Sequence, residues 1–103
     1  MFIAWTTVDS AETAALLARR AVDAGVAACV QVDGPVRSFY KWQGKAETGD
    51  EWRLVFKVAG EGIESLEIWL KANHPYETPQ WLACRADRVD AAYALWVKGG
   101  PVP

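Results

Sequence analysis

Apolar positions along the chain switch between alternating and helical spacing, and this pattern predicts a succession of strands and helices. Residues 2 to 7 are apolar on both alternating sets, which favours a central strand. We expect a helix next, capped by Asp9 with Glu12 three residues on, and stopped by Gly25. Its apolar stripe consists of Ala14, Leu17, Ala18, Ala21 and Val22.

The middle of the chain predicts a long β-hairpin. Residues 27 to 42 are strand-like, with a bulge or kink expected at Asp33, Gly34 and Pro35. Residues 51 to 58 alternate in the manner of a second strand, and the polar segment 44 to 50 is predicted to form the hairpin tip. The arm exceeds the usual strand length of about 5 to 6 residues, so we expect part of it to project and to need a covering partner.

The second half predicts a helix, an edge strand and a last helix. The first helix follows Gly60 to Gly62 and ends at His74 and Pro75, the strand covers residues 79 to 85, and the last helix runs from about residue 88 to 98. Gly99 and Gly100 should end that helix, and the tail PVP is expected to be loose. The order is the split βαβ pattern of an α+β, ferredoxin-like βαββαβ sandwich with an extended β2-β3 hairpin and an extra C-terminal helix.

One face of the predicted sheet lacks helices to cover it. Two helices cover the other face, while Trp, Phe and Val occur on both faces of the strands. We therefore expect the uncovered face to pack against copies of the same chain.

Length and charge narrow the classes of protein. The 103 residues fit a single domain, residues 1 to 103, that can bury its own core. A net charge of -2 without a basic run argues against nucleic-acid and membrane partners. The first ten residues have no basic region and a short apolar run, so we expect no signal peptide and a cytoplasmic location.

His74 is the only histidine, and it lies in the segment NHPYETP at a predicted helix end. A helix C-cap is the structural interpretation of this position, and neutral-pH acid-base or metal chemistry is the functional one. Cys29 and Cys84 are expected to be small buried side chains rather than a disulfide. His74 and the two cysteines are the only imidazole and thiol ligands in the chain, too few for a closed four-ligand zinc site. We expect no required cofactor. The remaining metal hypothesis is weak Cu(II) binding through His74.

Aromatic and polar residues concentrate in two segments and suggest a ligand cleft. The same aromatic residues on a hairpin arm would also serve as anchors of a protein interface, and the residues alone do not separate the two interpretations. The set comprises Tyr40, Trp42, Lys57, His74, Tyr76 and Glu77.

Several separated motifs resemble those of the CutA family of divalent-cation-tolerance proteins, over essentially the whole length. They are AACV at 27 to 30, VRSFYKWQGK at 36 to 45, DEWRLVFK at 50 to 57, HPYETP at 74 to 79, and the pair Tyr93 and Trp96. The resemblance implies a PII-like homotrimer with hairpin arms pairing between subunits, an association with copper and other divalent ions, and no established catalytic reaction. The family's cleft residues correspond to Tyr40, Trp42, Lys57, His74, Tyr76 and Trp96.

The chain departs from this family at two metal-binding positions. Trp5 stands where some members have cysteine, and Asn73 where some have a second histidine, which leaves His74 of that set. Our first hypothesis is therefore a non-enzymatic homotrimer that binds a metal ion or small ligand at intersubunit clefts. The alternatives are an enzyme with His74 as base, Glu77 as its orienting group and Lys57 as electrostatic stabiliser, or a pure assembly module.

Overall fold

The computed structural model describes residues 1–99, which form a four-stranded antiparallel sheet and three α-helices. The strands lie in the order β2-β3-β1-β4, so each βαβ unit is split by a strand between its two parallel members. This confirms the predicted α+β order. The elements are β1 Phe2–Val8, α1 Ala11–Asp23, β2 Cys29–Trp42, β3 Lys45–Val58, α2 Ile63–Asn73, β4 Leu82–Arg85 and α3 Ala91–Val97, with a 3₁₀ turn at Gly60–Gly62.

The core lies between the helices and one face of the sheet. Leu54 and Phe56 of β3 are fully buried there, against Leu66 and Leu70 of α2. The opposite face presents the alternate residues of the same strands, including Ile3, Trp5, Val55 and Leu82. Leu82 is 46% exposed on this face. We call this the open sheet face.

A bulge in β2 decides which side chains reach the open sheet face. The pairing with β3 shifts by one residue between Asp33 and Val36, as the Gly-Pro sequence predicted. Before the shift Gln31 is opposite Val55, and after it Tyr40 is opposite Glu47. Val55 and Glu47 are eight positions apart on β3 and share a face, so Gln31 and Tyr40 share it too, although they are nine positions apart.

The hairpin tip is shorter than the sequence predicted. Trp42 pairs with Lys45, and the turn consists of Gln43 and Gly44 at φ of 51° and 80°. Two residues at positive φ form the tight turn whose twist matches a β-hairpin, so pairing continues directly from it. The prediction of a tip at 44 to 50 was wrong. Residues 45 to 50 belong to β3, and they are polar because this part of the strand is largely exposed, not because it forms a turn.

Helix boundaries differ from prediction at their first residues. Ser10, not Asp9, caps α1, because the helix begins at Ala11 and the Ser10 side chain accepts the N–H of Thr13 over 3.1 Å. Asp90 caps α3 in the same way, so this helix starts at Ala91 rather than near residue 88. The edge strand β4 begins at Leu82, three residues later than predicted.

Other parts of the prediction are confirmed or corrected by contacts. His74 is the C-cap of α2, and its backbone N–H donates a hydrogen bond of 2.8 Å to the carbonyl oxygen of Leu70. Cys29 and Cys84 are free thiols, as expected, but Cys29 is half-buried and Cys84 exposed. The expectation that both are buried was wrong because both lie on the open sheet face, opposite Lys57 and Ile3 respectively. Gly100 and the PVP tail lie outside the described residues.

Candidate functional site

The segment from His74 to Gln80 is attached to the end of β1 by two hydrogen bonds. Nε2 of His74 lies 2.9 Å from the carbonyl oxygen of Thr7, and the Thr6 hydroxyl donates to the carbonyl oxygen of Gln80 over 2.7 Å. Both threonines are buried, so water does not compete strongly for these contacts. β1 therefore fixes the path of the chain between α2 and β4.

His74 is held as a neutral imidazole with a defined tautomer. The backbone N–H of Tyr76 donates to Nδ1 over 3.0 Å, so Nδ1 bears a lone pair and Nε2 bears the hydrogen that it donates to Thr7. The side chain is 8% exposed, and this burial lowers the pKa of His74 below its usual 6.5; the Thr7 carbonyl and the charge of Glu51 oppose the shift. Both ring nitrogens are thus occupied within the chain.

A cleft of about 800 Å³ opens beside this segment, between the hairpin and the residues that follow His74. Four of the residues predicted from sequence line it together: Tyr40, Trp42, Tyr76 and Glu77. His74 itself does not line the cleft, but its ring packs edge-on against that of Tyr76 with 4.9 Å between centroids. We call this space the Glu51 cleft, after one of the carboxylates that line it.

Glu51 connects the two sides of the cleft. Its Oε1 accepts the Ser38 hydroxyl over 2.7 Å, and its Oε2 accepts the Tyr76 hydroxyl over 3.3 Å. Ser38 reaches it from β2 and Tyr76 from the segment after α2, so three separate parts of the chain meet at one carboxylate. The contact ties the base of the hairpin arm to the HPYE segment.

The phenol of Tyr76 stays protonated over a wide pH range. Burial raises the pKa of Tyr76 to about 12, and the negative charges of Asp9 and Glu51 act in the same direction. The hydroxyl is therefore available as a hydrogen-bond donor at neutral and moderately alkaline pH. The same shift indicates that the cleft wall faces negative charge.

Lys57 and Trp96 lie away from the Glu51 cleft. Lys57 is on the same strand as Glu51, six residues and therefore about 20 Å further along, where its ammonium group contacts the side-chain oxygen of Gln31. Trp96 stacks on Tyr93 in α3 and borders a different depression of about 630 Å³, beside Val26 and Ser65.

Glu51 and Ser38 were absent from the set chosen from the sequence. Both lie inside the quoted motifs, in DEWRLVFK and VRSFYKWQGK, but carboxylates and serines are common on exposed strands. An indication existed in the spacing of Ser38, Tyr40 and Trp42, which alternate on one face. That spacing placed Ser38 beside the aromatic residues; nothing local placed Glu51 beside Tyr76.

A chelating cluster is not found in the described part of the chain. Within residues 1–99, no three His, Cys, Asp or Glu side chains come together in a way that could hold a metal ion. Cys29 and Cys84 lie on the open sheet face, whereas His74 is turned toward β1. The soft ligands are therefore not assembled within one copy of the chain.

The helices of residues 1–99 are all too short or too polar to cross a membrane.

Comparisons with known proteins give the same family for sequence and structure. The sequence pattern of the family described as CutA1 divalent ion tolerance protein matches residues 2–99. The CutA 1 protein of rice (Oryza sativa), described as chloroplastic, is 30% identical over 93% of this chain and 54% of its own length. The divalent-cation tolerance protein CutA of Archaeoglobus fulgidus is 31% identical over 90% of each chain.

The fold matches solved structures of the same family closely. The structure of CutA from Synechococcus elongatus superimposes with a TM-score of 0.91 at 36% identity, over 95% of this chain and 87% of that one. The chain spans about half the length of the rice, Arabidopsis and human relatives that it matches, at 54%, 53% and 53%. On the match over residues 2–99, this chain belongs to the CutA1 divalent ion tolerance protein family.

Proposed function

We propose that the chain is a non-enzymatic, trimeric binding protein of the CutA type, and that its ligand occupies the Glu51 cleft. The observation that carries this proposal is the convergence of Tyr40, Trp42, Tyr76 and Glu77 around one space of about 800 Å³. Small-molecule sites in proteins are concave spaces of roughly 300 to 1,000 Å³, lined by aromatic groups and a few placed polar groups. The Glu51 cleft has both properties.

The open sheet face supports assembly into a PII-like homotrimer. It combines Trp5, Ile3 and Val55 with the exposed Leu82, and such a face is stabilised when a second sheet or subunit covers it. The hairpin arm extends the chain to 48 Å along its longest axis against 26 and 22 Å across, so the arm can reach a neighbouring subunit. Because Tyr40 and Glu51 share this face, the neighbour would border the cleft.

Binding rather than catalysis agrees with the state of the candidate groups. In His74, the candidate general base, the lone pair of Nδ1 already accepts the N–H of Tyr76. Lys57 lies about 20 Å from Glu51 along β3. An enzyme using His74, Lys57 and Glu77 together would require these groups to meet one substrate. Their placement supports the non-enzymatic alternative.

A weak site for Cu(II) or another divalent ion at His74 is the second version of the proposal, and the family description motivates it. Such a site requires the imidazole to release Tyr76 or Thr7, since both ring nitrogens are engaged. Calorimetric titration of Cu(II) into the native protein and His74→Ala tests it. Weaker binding by the variant supports the site, and identical isotherms exclude His74 as a ligand.

The cytoplasm is the proposed location. Two free cysteines suit a reducing compartment, where thiols are not oxidised to disulfides. Fractionation of cells that produce the chain would test this, and recovery of the chain outside the cytoplasmic fraction would contradict it.

Two measurements test the main proposal. Light scattering at micromolar concentration should give three times the mass of one chain, and a monomer would overturn the trimer. A thermal-shift screen should then find small molecules that raise the apparent stability, because a ligand that binds only the folded state shifts the equilibrium toward it. In NMR spectra the active compounds should move the indole resonance of Trp42 and leave that of Trp96 in place; compounds that move Trp96 alone would contradict the cleft assignment.

A further inference from the structure

The charge of the Glu51 cleft is one-sided. Its lining contains two carboxylates and four aromatic rings, and among the described residues that border it there is no Lys or Arg. These six side chains are Glu51, Glu77, Phe39, Tyr40, Trp42 and Tyr76. A neutral or anionic ligand would leave both carboxylates without a counter-charge.

Two arginines near the cleft are paired with other groups, whereas Lys41 and Lys45 flank Trp42 at the tip of the arm, outside the cleft lining, and form no ion pair within residues 1–99. Arg53, two residues from Glu51 on β3, forms a two-bond ion pair with Asp33, at 2.6 and 3.2 Å. Arg37, next to Ser38 on β2, lies 3.7 Å from Asp50. In residues 1–99 no ion pair includes Glu51 or Glu77. No basic side chain among the described residues that line the cleft offsets the charge of its two carboxylates.

Glu51 is positioned rather than neutralised by its contacts. Its two donors, the hydroxyls of Ser38 and Tyr76, are uncharged and reach one carboxylate oxygen each. Two hydrogen bonds from different parts of the chain fix the orientation of the Glu51 carboxylate. Each oxygen has a second lone pair, so Glu51 can accept a further donor from a ligand.

The aromatic rings offer faces that the chain itself does not use. Trp42 is 63% exposed and Tyr40 49% exposed, and the bulge in β2 places both on the side of Glu51. The face of an aromatic ring attracts a cation through the ring quadrupole, most strongly for Trp. Carboxylates beside open aromatic faces form the kind of environment that recognises an ammonium group.

We infer that the Glu51 cleft takes a small organic cation, whose ammonium or guanidinium group lies between the carboxylates of Glu51 and Glu77 and against the rings of Tyr40 and Trp42. This inference rests on the proposed function and names the ligand class of the same cleft. A bare metal ion suits the cleft less well, because Glu51 and Glu77 provide two ligands and no third His, Cys, Asp or Glu joins them within residues 1–99. An organic cation needs charge and ring faces instead of a coordination shell.

The test compares choline with the uncharged alcohol in which a tert-butyl group replaces its trimethylammonium group. The two have the same shape, so a difference in affinity reports the charge. We expect choline to bind about tenfold or more tightly, as one carboxylate contact and one ring face together supply the roughly 1.4 kcal/mol that tenfold requires. Binding is measured by NMR titration, with the Trp42 indole as the reporter.

Three matched variants locate the charge. Glu51→Gln and Glu77→Gln should each weaken choline binding about three- to tenfold and leave the alcohol unchanged. Glu64→Gln removes an exposed carboxylate of α2, outside the cleft, and should change neither affinity. Because Glu51 supports the fold through Ser38 and Tyr76, Glu77→Gln is the decisive variant: it is exposed, and it keeps those hydrogen bonds intact.

The outcomes separate this inference from the proposed function. The inference that the ligand is an organic cation is overturned if choline and the alcohol bind with equal affinity, or if Glu77→Gln leaves the affinity for choline unchanged. If neutral or anionic compounds bind at Trp42 while choline does not, the inference fails and the cleft remains a ligand site. If neither the two probes nor any compound of the screen moves Trp42, the proposed function fails with it, and the rings of the arm are anchors of the subunit interface alone.

Discussion

The backbone N–H of Tyr76 donates a hydrogen bond of 3.0 Å to Nδ1 of His74, and this contact assigns the proton of the imidazole to Nε2. Nε2 in turn donates to the carbonyl oxygen of Thr7 over 2.9 Å. Protonation of the ring would place a second hydrogen on Nδ1, directly opposite the N–H of Tyr76. The arrangement is therefore complementary to the neutral ring and opposes the charged one.

His74 should titrate below its usual pKa of 6.5, because burial and the Tyr76 contact both disfavour the imidazolium. The unfolded chain keeps the ordinary value and binds a proton first as the pH falls. The stability linked to His74 is therefore fully present above about pH 6.5 and is lost as the pH falls toward the lower folded pKa. NMR titration of the ring and denaturant unfolding between pH 7 and 4 measure the two quantities.

The control for this prediction is His74→Asn, which does not titrate and keeps an acceptor near the N–H of Tyr76. The step in stability that begins near pH 6.5 should be absent from this variant, apart from the contribution of the carboxylates at lower pH. A native His74 pKa at or above 6.5 would contradict the hydrogen-bond assignment.

Tyr76 should titrate at about 12 in an ultraviolet titration of the folded protein, since it is half-buried beside the charges of Glu51 and Asp9. Its unfolded pKa is near 10, so the linked stability is present below pH 10 and is lost as the pH rises toward 12. Tyr76→Phe should remove this titration and cost about 1 kcal/mol of unfolding free energy through the lost contact with Glu51. In Tyr40→Phe the titration at about 12 should persist, and its disappearance there would refute the assignment.

Gly34→Ala should destabilise the protein by about 1 to 3 kcal/mol. Gly34 has φ of +148°, and an added Cβ would lie 2.8 Å from Cδ1 of Trp52 and 3.0 Å from the carbonyl oxygen of Glu51. Gly49→Ala is the matched control on the same hairpin, because its Cβ would meet the Tyr40 hydroxyl at an ordinary 3.7 Å. Denaturant unfolding of both variants gives the comparison, and equal free energies would show that the bulge tolerates a side chain.

Leu82→Lys should reduce the mass measured by light scattering from that of a trimer to that of a monomer. Leu82 is 46% exposed on the open sheet face, and a lysine there would bury a charge in the proposed interface. Leu16→Lys places the same change at a residue of α1 that is 49% exposed, outside that face, and should leave the trimer intact. If the Leu82→Lys protein remains a trimer, the open sheet face is not the interface between subunits.

Apolar spacing was sufficient to predict the order of the elements and much of the core. The inward residues Ala14, Leu17 and Ala21 of α1, the central position of β1 and the stop at His74 all follow from neighbours a few residues away, whereas Val22 of the predicted stripe is 45% exposed. Side-chain periodicity is a local property of helices and strands, which is why one sequence reveals it. The cap at Ser10 and the tip at Gln43 differed from prediction because adjacent polar residues compete for the same role.

The sequence by itself determined the strands and helices, and it placed Tyr40, Trp42 and Tyr76 in two segments rich in aromatic and polar residues. Only the tertiary structure decided that Glu51 joins them and that Lys57 does not. The reason is that the face presented by a strand depends on pairing register, and one extra residue in β2 moves Tyr40 to the other side. Register and the docking of the HPYE segment on β1 are set by contacts between residues far apart in the chain, which local spacing does not encode.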